Sequence, residues 1–171
     1  NSLGFGVNQR ISSLRHAITL LGRRQLQRWL QLLLMTPAGK TPDAALSPLL
    51  QVAALRGRMM EMMAEFVWPK DRRRADQAFI TGIMSMMPAA LGLPMREIFE
   101  QILLEPEIVE AFSSASEPLG MTLALLECFD AEDVAGCDRL LTAFATPGLD
   151  RWRLNTFLVE SLRWVNGSES A

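Results

Sequence analysis

The side chains that most often carry enzymatic chemistry are scarce in this chain of 171 residues. There is a single histidine, His16, and there are two cysteines, Cys128 and Cys137. One histidine cannot form a three-histidine metal cage or a paired-histidine phosphotransfer site, and the cysteine spacing fits neither a zinc site nor a disulfide framework. We therefore expect no metal and no cofactor, and we interpret both cysteines as small core residues rather than reactive thiols.

The remaining candidates for acid–base chemistry are also isolated. Glu61 and Glu65 lie one helical turn apart and could pair as carboxylates, but no histidine or second carboxylate pair accompanies them, which favours an exposed helical face. His16 stands on a short amphipathic segment, where a surface or half-buried histidine is the better interpretation than a catalytic base. No glycine-rich phosphate loop is present in the sequence. The sequence therefore predicts that this chain is not an enzyme.

One pattern could bind nucleic acid. Residues 17–34 predict a helix, a glycine turn and a second helix, with four polar residues on the outer face: Arg24, Gln27, Arg28 and Gln31. Arginine and glutamine read base edges when a helix-turn-helix places them in the major groove. The alternative is the polar outer face of a helix in a bundle. A formal net charge of -2 and the lack of another DNA-binding motif favour that alternative, so we do not expect a nucleic-acid partner.

The elements that would position these residues are predicted to be helices throughout. Helical spacing of apolar residues, together with proline and glycine punctuation, gives nine segments: 12–21, 23–35, 47–66, 71–91, 95–103, 106–114, 118–129, 130–144 and 150–165. Asp71, Asp130 and Asp150 are the predicted N-caps of three of them. No strict alternation and no Asn-Gly turn suggest a strand. We predict one all-α domain over residues 1–171, a bundle of about eight or nine helices around one core.

The segment from Ala78 to Leu91 is predicted to be the central helix of that core. It carries no charge, and its only polar side chains are Thr81 and Ser85. A helix that is apolar nearly all round belongs in the interior. Two glycines and two prolines interrupt the uncharged run, so we reject a membrane span, which needs roughly 20 consecutive apolar residues. The last helix is expected to bury five apolar side chains: Leu154, Phe157, Leu158, Leu162 and Val165.

Charge is distributed unevenly along the chain. Residues 1–40 contain six basic residues and no acid, whereas residues 97–138 contain eleven acids and no lysine or arginine. Such asymmetry can mark a partner surface. The alternative, which we favour, is that the two regions face each other or are solvated separately, because surface charges contribute little per pair.

Three stretches carry short motifs of a known pattern. The first lies in residues 1–34 and consists of Ser2, Phe5, Gly6, Ile11, Ser12, Ser13, Ala17, Ile18, Leu21 and Gly22. This pattern resembles the HDOD domain, the metal-hydrolase-like output domain of bacterial signalling proteins. Residues 78–112, AFITGIMSMMPAALGLPMREIFEQILLEPEIVEAF, look like the branch in which this domain follows an EAL domain, the cyclic-di-GMP phosphodiesterase fold. Residues 160–166, ESLRWVN, resemble the same branch. The family has further helices before the Asn-Ser pair, so the resemblance implies a fragment of a larger multidomain protein, truncated at its N-terminus.

The chain departs from the related enzymes at one decisive place. HDOD domains look like relatives of the HD-type metal phosphohydrolases, which carry a His-Asp pair on a buried helix to bind a divalent metal. Aligning the segment AFITGIM on that helix places Ser85 and Met86 where the two ligands would stand. A thioether is too soft and a neutral hydroxyl too weak to serve as such ligands. The resemblance therefore implies an HD-domain-like bundle that has lost its metal site.

The function implied by this resemblance is regulation through contact. We expect a cytoplasmic, non-catalytic module that binds a protein partner or an attached EAL domain, with homo-oligomerisation left open and no membrane association. Seven residues are candidates for the partner surface: Arg24, Gln27, Arg28, Gln31, Arg72, Arg73 and Arg74. Two alternatives stay open, a DNA-binding regulatory domain that uses residues 17–34 and a degenerate phosphohydrolase.

Overall fold

The computed structural model describes residues 48–101 and 104–166, and this part of the chain forms eight α-helices without a strand. The helices are α1 Pro48–Val67, α2 Arg72–Met84, α3 Met87–Leu91, α4 Met95–Gln101, α5 Pro106–Ala111, α6 Pro118–Asp130, α7 Val134–Phe144 and α8 Arg151–Val165. The predicted all-α class is confirmed. The two helices predicted before residue 36, the candidate helix-turn-helix at 17–34 and His16 lie outside the described residues.

Helices α1 and α2 form the antiparallel pair around which the other helices pack. Their approach is close where Gly82 of α2 faces α1. A Cβ on Gly82 would lie 2.6 Å from the carbonyl oxygen of Arg56 and 2.7 Å from the Cα atom of Gly57. Real Cβ atoms do not approach backbone atoms so closely, so glycine is required for this contact. The glycine that argues against a membrane span in the sequence therefore sets the spacing of the two central helices.

The core contains two clusters of buried apolar side chains. The larger cluster is formed mainly by α1, α6, α7 and α8, with contributions from α2 and α5. The smaller is formed mainly by α2, α3, α4 and α5, with Ala53 from α1. Methionines from α1, α2 and α3 fill much of this interior: Met59, Met60, Met63, Met84 and Met87. An unbranched thioether side chain adapts to irregular gaps between helices. Phe79 in the smaller cluster meets Trp164 of α8 edge to face at 6.0 Å, which ties the last helix to the second.

The predicted continuous helix from Ala78 to Leu91 is wrong, because the chain breaks it at Ser85 and Met86. Helix α2 ends at Met84, and the short helix α3 begins at Met87. Pro88 explains the break, since it has no N–H for the carbonyl of Met84 and its ring would clash with that carbonyl in a continuous helix. Burial of the segment is nevertheless as expected from Ala78 to Met84.

Two of the three predicted N-caps are confirmed and one is wrong. Asp71 and Asp150 each accept the backbone N–H three residues on, at 3.0 and 2.7 Å. Asp130, in contrast, is the last residue of α6, and Asp133 caps α7 by accepting the N–H three residues on at 2.9 Å. Glu132 adopts a left-handed conformation with φ of 55°, which separates the two helices at a place that apolar spacing does not mark.

Helix α8 buries a narrower face than its sequence predicts. Leu154 and Phe157 are buried as expected, and Leu158 and Val165 are half-buried. Leu162 is 43% exposed, so its predicted burial is wrong. The helix lies against α1 on one side, and Leu162 points away from that contact. Among the described residues, we find no helix with both the length and the apolar character needed to cross a bilayer.

Candidate functional site

The turn between α2 and α3 is where the resemblance places the lost metal ligands. Ser85 stands at this turn and uses its hydroxyl twice. Its Oγ accepts a hydrogen bond from Nε of Arg56 at 2.8 Å and donates one to the carbonyl oxygen of Gly82 at 2.7 Å. The neighbouring Met86 is half-buried and packs against the smaller apolar cluster. Ser85 therefore makes polar contacts within the chain, and Met86 packs against apolar side chains.

The guanidinium of Arg56 links three elements at this turn. Arg56 belongs to α1, donates to Ser85 at the α2–α3 turn, and pairs with the carboxylate of Asp130 at the end of α6. Its side chain is only 12% exposed, whereas that of Asp130 is 42% exposed. We refer to these three residues as the Arg56 cluster. A fixed cation at this position repels a divalent metal ion, and among the described residues no group of three or more potential His, Cys, Asp or Glu ligands gathers anywhere.

Asp130 is the only carboxylate in the Arg56 cluster, and its proton affinity is perturbed. Burial raises the pKa of Asp130 above the ordinary value of 3.8, and the positive charge of Arg56 opposes that rise. A base or nucleophile would need a second reactive group and a space for substrate beside it. Asp130 instead faces a guanidinium that also holds Ser85. The arrangement ties three helical elements together and provides no catalytic pair.

The predicted partner surface at Arg72, Arg73 and Arg74 forms the first turn of α2. All three guanidiniums contact carboxylates: Arg72 with Glu65 at 3.1 Å, Arg73 with Glu105 at 3.1 Å and Glu107 at 2.9 Å, and Arg74 with Asp71 at 3.5 Å. The hydrogen bond to Glu105 and the charges of both its acidic partners raise the pKa of Arg73. Much of the positive charge of this surface is thus balanced within the chain, and Arg73 joins α2 to the start of α5.

A cleft of about 260 Å³ opens beside the same turn, between the first turns of α2 and α6. Its lining carries both signs of charge and consists of Asp71, Arg73, Arg74, Gln77, Glu107, Glu110, Glu117, Pro118 and Leu119. The lining includes four carboxylates but neither a cysteine nor a hydroxyl side chain. Both of its arginines are already engaged with carboxylates.

The carboxylates of Glu61 and Glu65 lie in a charged network on α1 rather than on an exposed face. Glu61 is buried and accepts a hydrogen bond from Arg58 at 2.8 Å, so the predicted exposure of this residue is wrong. Arg58 also lies 3.9 Å from Glu65, which is half-buried. Pairing with Arg58 within the same helix is what allows Glu61 to be buried. Neither carboxylate is free to act as a general base.

The two cysteines are located near the contact of α6 with α7. Cys137 is buried, which confirms its interpretation as a core residue, and Cys128 is half-buried against the larger apolar cluster. Burial is the main cause of a raised pKa for both thiols. A raised pKa lowers the fraction of reactive thiolate at neutral pH. Neither cysteine has the environment of a nucleophile.

Sequence reasoning predicted lost metal ligands at Ser85 and Met86, which stays a prediction, and missed the pairing of Arg56 with Asp130. The two residues of this ion pair are 74 positions apart in the chain, and no local pattern connects them. Arg56 precedes the glycine at the close contact of α1 with α2, and that contact brings its side chain to the turn. Only the packing of the helices reveals the cluster. The candidates Arg24, Gln27, Arg28 and Gln31 lie outside the described residues.

Comparison with known proteins finds two bacterial relatives along nearly the whole chain. The chain is 28% identical over 165 residues to the cyclic di-GMP phosphodiesterase CdgJ of Vibrio cholerae, an alignment that covers 96% of this chain and 36% of that protein. It is 21% identical over 166 residues to the uncharacterized protein YuxH of Bacillus subtilis, which covers 97% of this chain and 39% of that protein. The chain thus spans between a third and two fifths of the length of these curated relatives. No family model and no solved structure matches it. These alignments are consistent with an HDOD-type domain, and the family assignment stays a prediction.

Proposed function

We propose that this chain is a non-catalytic regulatory domain of the HDOD type within a cytoplasmic protein of the cyclic-di-GMP signalling system. It acts by contact on an attached EAL domain, of the phosphodiesterase type, or on a separate protein partner. The similarity to a segment of the Vibrio cholerae phosphodiesterase along nearly all of this chain supports the pathway. The aligned segment is only 36% of the relative, so the phosphodiesterase activity in the relative's name is not assigned to this chain. In this proposal the activity belongs to an attached EAL domain.

The observation that carries the proposal is the Arg56 cluster. The position that the resemblance aligns with the metal ligands of HD-type hydrolases is Ser85, whose hydroxyl is bound to the guanidinium of Arg56, and this guanidinium is paired with Asp130. To hold a divalent metal here, the chain would have to displace a largely buried cation and supply ligands that neither Ser85 nor Met86 offers. This supports a loss of hydrolysis together with a retained fold.

The proposed mechanism is regulation by contact, in which this domain makes different contacts with its neighbour in different conformations of the protein. A helical domain changes the activity of a catalytic neighbour only when it binds one conformation or oligomeric state more tightly than another. The coupling between two such sites typically changes an equilibrium by about 5- to 150-fold. The close packing of α1 against α2 at Gly82 suits this role, because closely packed helices transmit a displacement of one to the other.

The test uses the Vibrio cholerae relative, in which the aligned segment can be exchanged. Three proteins are compared for hydrolysis of cyclic di-GMP with Mg²⁺ or Mn²⁺: this chain alone, the relative without its aligned segment, and the relative with this chain in place of that segment. We expect no turnover by the chain alone, and turnover by the other two at different rates. Turnover by the chain alone would refute its non-catalytic character. Equal rates for the other two proteins, with equal oligomeric states, would refute regulation.

A further inference from the structure

The outward face of α8 carries an apolar stripe that the core does not use. Trp152, Val159 and Leu162 are 71%, 46% and 43% exposed, and Asn155 lies exposed between them. Their spacing of three, four and three residues places all four on one line along the helix, as the a and d positions of a coiled coil. The opposite side of α8 is buried in the core by other residues. We refer to these four residues as the α8 stripe.

The concentration of exposed apolar groups on this one helix is unusual for the part of the chain that the structure describes. Five large apolar side chains are exposed there, and three of them belong to the α8 stripe. Scattered single apolar residues need no explanation, but a contiguous set indicates a binding surface. Tryptophan is the residue type most often found at the energetic centre of protein interfaces. Trp152 at the start of α8 therefore provides an anchor.

The charges beside the stripe restrict what can cover it. Arg151 and Arg163 are exposed on its flanks, and Glu160 is the only acid on the helix. Arg151 contacts Asp138 of α7 at 3.3 Å, but the side chain stays 51% exposed. A second copy of α8 would bring the same exposed residues, two further arginines and one glutamate. It therefore supplies no excess of acid to pair with Arg151 and Arg163.

The basic end of this chain is an equally poor match. Residues 1–40 carry six basic residues and no acid, so a helix from that segment would bring further positive charge to the same flanks. A lipid surface suits the stripe less well than a helix does, because Asn155 and Glu160 interrupt the apolar band and its edge. Membrane-binding helices bury a wide, continuous apolar face. Charge complementarity thus favours a protein partner with acidic flanks.

We propose that the α8 stripe binds an amphipathic helix of a partner protein or attached domain, with apolar residues along one line and glutamate or aspartate on either side. This inference rests on the proposed function, since it identifies the surface through which that regulation is exerted. The partner's apolar line packs against Trp152, Val159 and Leu162, and its carboxylates pair with Arg151 and Arg163. Asn155 lies on the same line of α8, and a polar residue at such a position favours a single register of the two paired helices.

The test is a titration of this chain with two synthetic helical peptides that share one line of leucines. One peptide has glutamates beside the leucines and the other has lysines. We expect the glutamate peptide to bind at least about ten-fold more tightly, with an affinity that falls as salt rises. Trp152→Ala should weaken binding about thirty-fold, as for an interface anchor. Arg163→Glu should reduce the preference for the glutamate peptide.

The matched control is Val134→Ser, which removes an apolar side chain that is 51% exposed on α7 and outside the stripe. It should leave binding unchanged, and circular dichroism should show all variants folded. Equal binding of the two peptides, absence of binding, or equal losses for Val134→Ser and Trp152→Ala would overturn the proposal. Tighter binding to vesicles of anionic phospholipid than to the glutamate peptide would also overturn it.

A photo-crosslinking amino acid in place of Asn155 distinguishes the other segments that could cover the α8 stripe. In the purified chain, a crosslink to residues 1–47 or to α8 of a second copy would contradict the proposal, whereas a crosslink to the added glutamate peptide supports it.

The results of the peptide experiments are independent of the exchange experiment in the Vibrio cholerae relative. If that exchange changes cyclic-di-GMP hydrolysis but the stripe variants do not affect peptide binding, regulation stands and this surface is wrong. If peptide binding behaves as expected but the exchange has no effect, the proposed function fails.

Discussion

Replacement of Arg56 by methionine should destabilise the fold, and by an amount that depends on pH. Methionine keeps an unbranched apolar stem in the position of the arginine stem and removes only the guanidinium. Two interactions are lost, the hydrogen bond to Ser85 at 2.8 Å and the ion pair with Asp130. A hydrogen bond from a charged donor contributes about 1.5–3 kcal/mol, and an ion pair with a partly exposed partner adds up to about 1 kcal/mol. Because Ser85 still donates to Gly82, we expect a loss of about 2–3 kcal/mol near pH 7.

The pH dependence follows from the position of Asp130. Burial already raises its pKa above 3.8 in the folded protein, and loss of the opposing charge of Arg56 raises it further. A group with a raised folded pKa favours the folded state while it is protonated, and this contribution is lost as pH rises through the folded pKa. The destabilisation by Arg56→Met should therefore be largest at neutral pH and should shrink as pH falls toward 3.8 and Asp130 takes up a proton.

Urea unfolding of the whole chain at several pH values measures this effect. The control is the double variant Arg56→Met with Asp130→Asn, in which the neutral amide cannot titrate. Its stability difference from Asp130→Asn should not change with pH over the same range. An Arg56→Met variant as stable as the original chain at pH 7, or equally destabilised at pH 7 and pH 4, would refute the role of the Arg56 cluster.

Three further outcomes are expected. Gly82→Ala should lower the free energy of unfolding by about 1–3 kcal/mol, because its Cβ would strike the α1 backbone at 2.6 Å and force the helices apart; a gain from higher helix propensity alone would contradict this contact. Asp133→Ala should cost about 1 kcal/mol in thermal or urea unfolding through loss of the α7 cap, whereas Asp130→Ala should leave that cap in place, as amide hydrogen exchange in the first turn of α7 can show. At pH 8 a thiol reagent should label both cysteines more slowly than free cysteine, because burial raises the pKa of both thiols. Cys137, which is more deeply buried, should react more slowly than Cys128. Rapid labelling of Cys137 in the folded chain would show that it is not a core residue.

The helical class could be predicted because apolar spacing and helix caps are local signals. Asp71 and Asp150 precede their helices directly, and the structure confirms both caps. The boundary between α6 and α7 was missed because Asp130 and Asp133 are equally good capping residues. The choice between them depends on the left-handed conformation of Glu132, which the sequence does not reveal.

The central segment shows both the strength and the limit of composition. Its lack of charge predicted burial correctly from Ala78 to Met84 but not at Ala89, which is exposed, and Pro88 was visible in the sequence as an interruption. To predict the turn at Ser85 and Met86 from Pro88, one must apply the rule that proline cannot donate a backbone hydrogen bond to the carbonyl four residues earlier. The sequence also could not show that Gly82 permits a close contact with α1, because that contact depends on the backbone of a second helix.

The Arg56 cluster and the α8 stripe were missed for different reasons. Arg56 and Asp130 meet only through the packing of α1, α2 and α6, so their pairing carries no sequence signal. The stripe, in contrast, was visible as apolar spacing on α8, but the prediction gave no role to Trp152 and Val159 and did not recognise a second apolar line. Leu162 was assigned to the interior, yet α1 covers only one side of this helix. A helix with two apolar lines needs two partners, and the residues that the structure describes supply one.

The most direct test of contact-based regulation is the rate of cyclic-di-GMP hydrolysis by the Vibrio cholerae relative with this chain in place of its aligned segment. The matched comparison is the same relative without the segment, at equal protein concentration and in the same oligomeric state. The account predicts that the two rates differ by at least about five-fold and that this chain alone gives no turnover. Identical rates, or turnover by this chain alone that depends on added metal, would contradict it.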